Sequence, residues 1–251
     1  MMNTEKFSGK ALIYEKFRPD YPKKFIEYLY KNVGFNQSSI IADIGSGTGI
    51  LTGQLLEMGS QVYGVEPNLD MRSRAEYRLS GITRFISVDG TAENTQLEDN
   101  SADFVSVAQA FHWFDILAFK KECQRILRPG GLAVLVWNSR VSDSAIVIDN
   151  AEVFRKYCPE FKGFSGGMEE RTSDFSVFFK EGSYTTKQFN NDIAYDLEGF
   201  LGRSLSASYS PKKGDAGYEI FIAALTDLFN KYCLNGKVII PNITRSYIGK
   251  V

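Results

Sequence analysis

Three glycines follow an apolar, β-rich segment in the stretch IIADIGSGTGIL, residues 40–51. Gly45 and Gly47 can adopt backbone angles closed to other residues, and without a Cβ they let a ligand lie against the main chain. Gly49 would let the next helix start close to the strand, and the free N–H groups of that helix offer a site to an anion. The stretch predicts a ligand-binding loop, and a plain strand-to-helix turn is the alternative.

Three consecutive predicted strands end in a carboxylate, at Asp43, Glu66 and Asp89. In an open parallel sheet, ligands bind at this edge. Glu66 could take both hydroxyls of a ribose, and Asp89 or a neighbouring N–H could meet an adenine amino group. Dinucleotide sites usually carry G-x-G-x-x-G, whereas this loop reads G-x-G-x-G. Since three carboxylates would repel a pyrophosphate, they predict a cationic ligand that carries a nucleoside.

The elements that must position these residues alternate between β-rich and helical patterns through the first 140 residues. The predicted strands cover residues 39–44, 61–66, 83–89, 102–109 and 132–138. The predicted helices between them cover residues 50–59, 68–79 and 115–127. This alternation predicts right-handed crossovers and a parallel sheet covered on both faces. RPGG, residues 128–131, predicts a stop between the last helix and the last strand.

The pattern changes after Asn138. It predicts, in order, a helix over 144–157, a loop over 163–174, a strand over 183–196, helices over 197–208 and 217–233, and a closing strand over 237–251. Two late strands separated by helices predict an antiparallel pair at one edge of the sheet, with a small helical insertion. The apolar stripe of the second helix indicates core packing rather than a partner-binding face.

Composition limits the classes of function. The 251 residues carry 29 basic and 30 acidic side chains, so the basic excess typical of nucleic-acid-binding proteins is missing. The cysteines (Cys123, Cys158 and Cys233) are too few and too widely spaced for a metal cluster or a disulfide framework. No apolar run approaches the ~20 residues that span a bilayer. We expect a cytoplasmic protein with no metal, no nucleic-acid partner and no membrane association; the oligomeric state stays open.

Five segments in order resemble one family: DIGSGTG, VYGVEPNLDM, VDGTAE, SVAQAFHWFD and ILRPGGLAVLVWN. Together they make residues 40–138 resemble class I S-adenosylmethionine-dependent methyltransferases of the small-molecule type, in the trans-aconitate-methyltransferase-like or methyltransferase type 11 group. The segment YEKFRPDYP and the late strand pair are similar to that family too. The resemblance implies a Rossmann-like α/β fold, with a seven-stranded, mostly parallel sheet that has a reversed edge strand, helices on both faces and a small helical lid. It also implies S-adenosyl-L-methionine as cofactor, with S-adenosyl-L-homocysteine as product.

The resemblance implies roles for individual residues. Asp43, Gly45, Ser46 and Gly47 would lie at the methionine part of the cofactor, with Asp43 acting on its amino group directly or through water. Glu66 would hold the ribose hydroxyls. The other implied contacts are Pro67, Asn68 and Met71 near the adenine, Asp89, Gly90, Thr91 and Ala92 at the adenine edge, Gln109, Ala110 and Phe111 near the reactive methyl group, and Tyr14 and Arg18 in a segment that closes over the cofactor. We therefore expect one domain over residues 1–251, with a covering segment over 1–35, a cofactor-binding core over 36–140 and a lid over 197–235 between the last two strands.

Two residues are candidates for catalysis on a small-molecule acceptor. His112, the only histidine, could take a proton from an attacking oxygen or nitrogen. Equally, HWFD could be a structural turn in which Trp113 shapes the wall. A carboxylic acid acceptor needs only a positive clamp, and Arg203 is the first candidate, with Ser204, Ser206 and Tyr209 as neighbours and Arg140 as a second choice. The alternative is that Arg203 ends an ordinary exposed helix.

Two other functions stay open at the level of sequence. A nicotinamide-dependent oxidoreductase on a similar sheet is disfavoured by the glycine spacing and by the lack of an obvious Tyr-x-x-x-Lys pair. A non-catalytic protein that binds S-adenosylmethionine as a sensor or scaffold is compatible with every motif, because fold and cofactor do not determine function. The identity of the acceptor and of its attacking atom is not encoded in any motif.

Overall fold

A central sheet organises the chain in the computed structural model, which describes residue 9 and residues 11–164 and 172–251. The strands are β1 (Ile40–Ile44), β2 (Gln61–Val65), β3 (Phe85–Val88), β4 (Ala102–Ala108), β5 (Leu127–Arg140), β6 (Thr185–Asn190), β7 (Ile193–Tyr195), β8 (Val238–Ile240) and β9 (Asn242–Gly249). Seven of them form one sheet in the order β3-β2-β1-β4-β5-β9-β6, and β7 pairs with β8 in a small second sheet.

The helices lie between these strands. They are α1 (Ala11–Phe17), α2 (Lys23–Tyr28) with a π-helical turn (Leu29–Val33), α3 (Ile50–Glu57), α4 (Leu69–Arg78), α5 (Ile116–Ile126), α6 (Ala145–Tyr157), α7 (Thr172–Phe178), α8 (Leu197–Leu205) and α9 (Tyr218–Tyr232). In the described part of the chain, none of them is both long enough and apolar enough to cross a membrane, and His, Cys, Asp and Glu side chains form no metal-binding group there.

The topology confirms the predicted Rossmann-like sheet. β1 pairs in parallel with β2 and β4, and the parallel order continues to β3 on one side and β5 on the other. β9 is reversed: it runs antiparallel to β5 and to β6, so the predicted antiparallel pair lies at one edge, with β9 one place in from β6. Because the first five strands are parallel, their carboxyl ends meet at a single edge of the sheet.

Both faces of the sheet are covered by apolar side chains, as a central parallel sheet requires. On one face, Ile41 packs with Phe25 of α2 and Leu55 of α3. On the other face, Ala42 lies in the same cluster as Phe119 of α5 and as Phe178. Adjacent residues of β1 point to opposite faces, so its apolar residues are buried on both sides of the sheet, and Asp43 lies next to the carboxyl end of the strand.

Several element boundaries differ from the predictions. β5 begins at Leu127, so RPGG lies inside the strand: Leu127 pairs with Ala102, the register then shifts, and residues 128–131 bulge out before Leu132 pairs with Phe104. Each of the two strands predicted late in the chain, over 183–196 and 237–251, is two strands in the structure. Pro241 lies between β8 and β9, and it has no N–H to donate to a neighbouring strand. Within the loop predicted over 163–174, residues 165–171 are outside the described residues. Residues 172–174 of that prediction belong to α7 instead of a loop.

The helices in the segment predicted as a lid belong to a third apolar cluster. Helices α8 and α9 lie between β7 and β8, and they pack with α6 through buried residues such as Phe154, Phe200 and Phe221. Helix α1 in turn contacts α8 on one side and α4 on the other. The site therefore lies where the sheet edge, this helical cluster and α1 meet.

Candidate functional site

The glycine loop turns sharply at the carboxyl end of β1. Gly45, Gly47 and Gly49 all have positive φ, at 67°, 59° and 78°, a region that favours glycine. The N–H of Gly45 donates to the carbonyl of Val65 over 2.9 Å, which ties the loop to β2. A Cβ at Gly45 would lie 2.6 Å from Cβ of Ala110. The loop therefore depends on glycine both for its backbone angles and for its close approach to the end of β4.

A first cavity of about 320 Å³ opens beside this loop, at the carboxyl ends of the strands. It is lined by Tyr14, Gly45, Gly47, Glu66, Pro67, Met71, Thr91, Ala92, Glu93, Ala108, Gln109, Ala110, Trp113 and Phe114. Most of the residues expected at a cofactor thus surround one space. Glu93 and Phe114 are additions, because they come from the loop after β3 and the turn before α5, where no strand end marks them.

Glu66 is the buried acidic residue of the first cavity, whereas Glu93 is exposed. Its carboxylate accepts hydrogen bonds from the backbone N–H groups of Gly47 and Asn68, each over 2.9 Å. The side chain of Asn68 accepts from the N–H of Met71 and so caps α4. Burial raises the pKa of Glu66, and the two N–H donors oppose that rise. Glu66 is therefore held rigidly at the cavity wall, and each oxygen has acceptor capacity left for a hydroxyl.

Asp43 and Asp89 are not among the residues that line the first cavity. Asp43 is 1% exposed behind the loop, where it accepts hydrogen bonds from the hydroxyls of Thr52 (2.6 Å) and Ser106 (2.8 Å). Burial raises its pKa to about 6. The exposed side chain of Asp89 forms a two-pronged ion pair with Arg72, at 3.1 and 3.0 Å. Their cofactor contacts stay predictions, and in this structure each carboxylate accepts hydrogen bonds from side chains of neighbouring elements.

A second cavity of about 660 Å³ adjoins the first. Its lining residues are Tyr14, Arg18, Gln109, His112, Trp113, Asn138, Arg140, Pro159, Glu160, Lys162, Gly163, Phe164, Arg203, Ala207, Ser208 and Tyr209. Tyr14, Gln109 and Trp113 line both cavities. A narrower space between them is lined by the loop residues Ser46 and Thr48. The two cavities therefore form adjoining chambers with a shared wall.

Gln109 forms the boundary between the chambers. Its φ is +63°, which is uncommon for a residue other than glycine and often marks a functional site. Its N–H donates to the carbonyl of Val136 over 3.0 Å, and its side-chain amide donates to the carbonyl of Asn138 over 3.1 Å. Both acceptors lie on β5, so the end of that strand fixes Gln109.

Three arginines from distant parts of the chain converge on the second cavity. Arg18 follows α1, Arg140 ends β5 and Arg203 lies on α8. Burial, followed by the charges of Arg18 and Arg140, lowers the pKa of Arg203 to about 9, so it stays protonated at neutral pH. Burial also lowers the pKa of Arg140, which is 8% exposed and stacks over the ring of Phe164 at 3.7 Å. The second cavity is therefore strongly positive.

The residues predicted around Arg203 have distinct positions. Tyr209 lines the second cavity, and burial raises its pKa. Ser206 accepts a hydrogen bond from Nε of Arg18 over 3.1 Å, and so joins α8 to the N-terminal segment. Ser204 is buried, and its hydroxyl donates to the carbonyl of Phe200 within the helix. His112 lies in a single 3-10 turn, with its ring 4.6 Å from the ring of Trp113, and faces the second cavity.

Tyr14 and Arg18 were predicted as covering residues, and both lie at the cavities. The guanidinium of Arg18 stacks over the Tyr14 ring at 4.5 Å. The sequence did not predict that Arg18 lies at the same cavity as Arg140 and Arg203. Arg18 reaches that part of the fold through its contact with Ser206, which is 188 positions away in the chain. Nor did it predict Asn138 and Phe164 as cavity residues; the position of Asn138 at the end of a core strand is the one signal that could have identified it.

Comparison with known proteins agrees with this geometry. Residues 42–135 match the methyltransferase domain family. The chain is 40% identical over 134 residues to an uncharacterised methyltransferase of Mycobacterium tuberculosis, a match that covers 53% of this chain and 52% of the relative. The chain thus spans about half the length of the curated relatives it matches.

Solved structures show the same fold at low identity. A structure described as a type II methyltransferase from Anaeromyxobacter dehalogenans aligns with a TM-score of 0.65 at 21% identity, over 93% of this chain and 98% of that chain. The Haemonchus contortus phosphoethanolamine N-methyltransferase 2, in complex with S-adenosylhomocysteine, aligns with a TM-score of 0.57 at 17% identity, over 97% of this chain and 58% of that chain. Residues 42–135 therefore resemble a methyltransferase domain, and the chain has the Rossmann-like fold seen in methyltransferases.

Proposed function

We propose that this chain transfers a methyl group from S-adenosylmethionine to a small-molecule acceptor that carries an anionic group such as a carboxylate. The observation that carries the proposal is the pair of adjoining cavities, which share Tyr14, Gln109 and Trp113. Methyl transfer by in-line displacement depends chiefly on holding donor and acceptor in line. Two chambers with a common wall supply that arrangement.

The residues of the first cavity fit the cofactor. Gly45 and Gly47 leave room that a Cβ would reduce, and Glu66 offers carboxylate oxygens to a pair of ribose hydroxyls. Pro67 and Met71 supply an apolar surface for an adenine ring. When bound, the cofactor supplies an electrophilic methyl group on a positively charged sulfur. Aromatic residues of the shared wall suit a cation, because ring faces attract positive charge.

The second cavity fits an anionic acceptor. Arg203 would hold a carboxylate of the acceptor by paired N–H donors, the geometry in which a guanidinium binds carboxylates best. Tyr209 is placed to add a hydrogen bond, and Arg140 to add a second positive charge. If the attacking atom is a carboxylate oxygen it arrives ionised, and His112 then shapes the wall. If it is a protonated oxygen or nitrogen, His112 is the group at the cavity that can accept the proton.

Calorimetric titration with S-adenosylmethionine, S-adenosylhomocysteine and NADH tests the cofactor. We expect micromolar binding of the first two and none of NADH. Glu66→Gln keeps the size of the side chain but sets an amide N–H against a backbone N–H donor, so affinity for both adenosyl ligands should fall by about tenfold or more. Glu76→Gln is the matched control, since Glu76 is exposed on α4 and accepts from Ser87 outside the cavity. Lack of binding by the folded wild-type chain would refute the proposal.

Formation of S-adenosylhomocysteine in the presence of small carboxylic acids separates an enzyme from a binding protein. Binding without methyl transfer to any acid, amine, alcohol or thiol supplied would favour a sensor or scaffold that retains the cofactor site.

A further inference from the structure

Helix α1 is weakly anchored for an element that touches both cavities. It has seven residues, of which only Ala11 is buried, and so short a helix is marginal on its own. Its ion pair between Lys16 and Glu198 is largely exposed, and exposed pairs stabilise by only about 0–1 kcal/mol. Glu15 pairs with Arg74 of α4 at 2.6 Å in a half-buried contact. Besides these ion pairs, α1 is held by hydrogen bonds from Arg18 to Ser206 and by the contact of Phe17 with Gly202, so a ligand that binds Arg18 would add to a small set of anchors.

Tyr14 and Arg18 connect the two chambers through this helix. Tyr14 lines both cavities, whereas Arg18 lines only the second of them. The N–H of Arg18 donates to the carbonyl of Tyr14 over 2.9 Å, and its guanidinium stacks on the Tyr14 ring. Any ligand that fixes the guanidinium of Arg18 therefore also fixes the ring that covers the first cavity.

Among the described residues, the three arginines at the second cavity (Arg18, Arg140 and Arg203) have no carboxylate as ion-pair partner. Glu160 and Lys162 also line this cavity, but both are exposed at its rim and their charges oppose one another. Buried charges in proteins are normally paired. Burial is the main cause of the lowered pKa values of Arg140 and Arg203, and the charges of neighbouring arginines lower both further, so leaving these charges without an anion carries a cost. An anion with two or more charges would offset that cost better than a single carboxylate.

We propose that an acceptor with at least two anionic groups, carboxylate or phosphate, binds between Arg18, Arg140 and Arg203 and thereby strengthens cofactor binding, because Arg18 carries Tyr14 and α1 onto the first cavity. The inference rests on the proposed function and adds to it the charge of the acceptor and a coupling between the sites. Such coupling is reciprocal: the cofactor must strengthen anion binding by the same factor.

Titration of S-adenosylhomocysteine tests the coupling, in the presence of saturating malonate, tricarballylate, inorganic phosphate or acetate at constant ionic strength. We expect malonate, tricarballylate or phosphate to lower the Kd of S-adenosylhomocysteine at least about fivefold, the lower end of typical coupling, with little effect of acetate. The reverse titration should show the same factor. A difference between the carboxylates and phosphate identifies which kind of anion the site takes.

Variants locate the effect. Arg140→Gln should weaken binding of the effective anion itself, whereas Arg18→Gln should bring the ratio of Kd values with and without that anion close to one. Arg155→Gln removes the same charge from an exposed position on α6, paired with Glu152, and should keep the wild-type ratio.

The two proposals fail in different ways. If S-adenosylhomocysteine does not bind the wild-type chain, the proposed function fails first. If it binds but its Kd is the same with and without each saturating anion, or if none of the multiply charged anions binds, the coupling is refuted while the cofactor site stands. Coupling of equal size in Arg18→Gln would also refute it.

Discussion

Replacing Gly45 with alanine tests whether the glycine loop is fixed by close packing as well as by backbone angle. Gly45 has φ +67°, and an added Cβ would lie 2.6 Å from Cβ of Ala110 and 3.2 Å from Cζ of Phe114. Carbon atoms pack best at about 3.5–4.0 Å, so Ala110 or the loop must move. The left-handed angle costs about 1–2 kcal/mol, and overpacking costs about 1–3 kcal/mol more.

Gly47→Ala is the matched control. Its φ is +59°, close to that of Gly45, but an added Cβ would lie 3.4 Å from Cε of Met71, an ordinary contact with a flexible side chain. We therefore expect Gly47→Ala to lower the free energy of unfolding by about 1–2 kcal/mol and Gly45→Ala by about 2–5 kcal/mol. Ala110→Gly removes the atom that clashes, so the double variant with Gly45→Ala should recover the packing part and leave the backbone part.

Urea denaturation of the wild type and the four variants gives these free energies, and the double-mutant cycle isolates the packing term. We expect an interaction energy of about 1–3 kcal/mol between positions 45 and 110. Equal losses for Gly45→Ala and Gly47→Ala, or additive effects in the double variant, would refute the argument from packing. Titration of S-adenosylhomocysteine on the same proteins should show weaker binding to Gly45→Ala than the loss of stability alone explains, because the methyl group narrows the first cavity.

The remaining predictions concern a buried acid and the seat of α1. Burial raises the pKa of Asp43 from 3.8 to about 6; since the folded chain then binds this proton more tightly than the unfolded chain, stability falls as the pH rises from about 4 to 6. Relative to Asp43→Asn, which does not titrate, the wild type should lose about 3 kcal/mol of its free energy of unfolding across this window, as measured by urea denaturation. A difference between the two proteins that does not change with pH would contradict the raised pKa of Asp43. A Cβ at Gly202 of α8 would overlap the ring of Phe17. Gly202→Ala should therefore displace α1 and weaken S-adenosylhomocysteine binding several-fold, while the better helix propensity of alanine, about 1 kcal/mol, offsets part of the stability lost with the contacts of α1. Unchanged affinity for S-adenosylhomocysteine would show that the position of α1 does not depend on the contact between Phe17 and Gly202.

The first cavity could be predicted from the sequence because its determinants are local. Glycine spacing and the last residue of each strand specify backbone angles and the edge of a parallel sheet, so Glu66 lines the cavity where a strand-by-strand argument places it. Met71 and Ala92 line the same cavity, and they were expected there from the family resemblance alone. The same argument does not predict the ion pair of Asp89. β3 ends at Val88 and Arg72 of α4 binds the carboxylate of Asp89, and the rotamers that allow this pair have no signal in the spacing of residues.

The second cavity could be predicted only in part, because its residues come together through long-range packing. Arg203 was identifiable as a positive group in the lid, yet its partners Arg18 and Arg140 lie far away in the chain and meet it only once α1, β5 and α8 are assembled. The bulge in β5 was likewise hidden, since RPGG is typical of a turn and is a turn in effect, but one placed inside a strand.

The reversed strand acts on the site from outside it. Gln109, which separates the chambers, is held by the carbonyl of Asn138. The side-chain oxygen of Asn138 accepts hydrogen bonds from Thr244 of β9 over 2.5 Å and from Asn191 over 3.1 Å, and its amide donates to the carbonyl of Asp20 over 3.3 Å. A strand parallel to β5 could not place its first residues beside the carboxyl end of β5, whereas the antiparallel β9 begins there, pairing Asn138 with Thr244. The reversal thus brings the start of β9 and the segment before α2 together at Asn138, the residue that fixes the boundary between the two chambers.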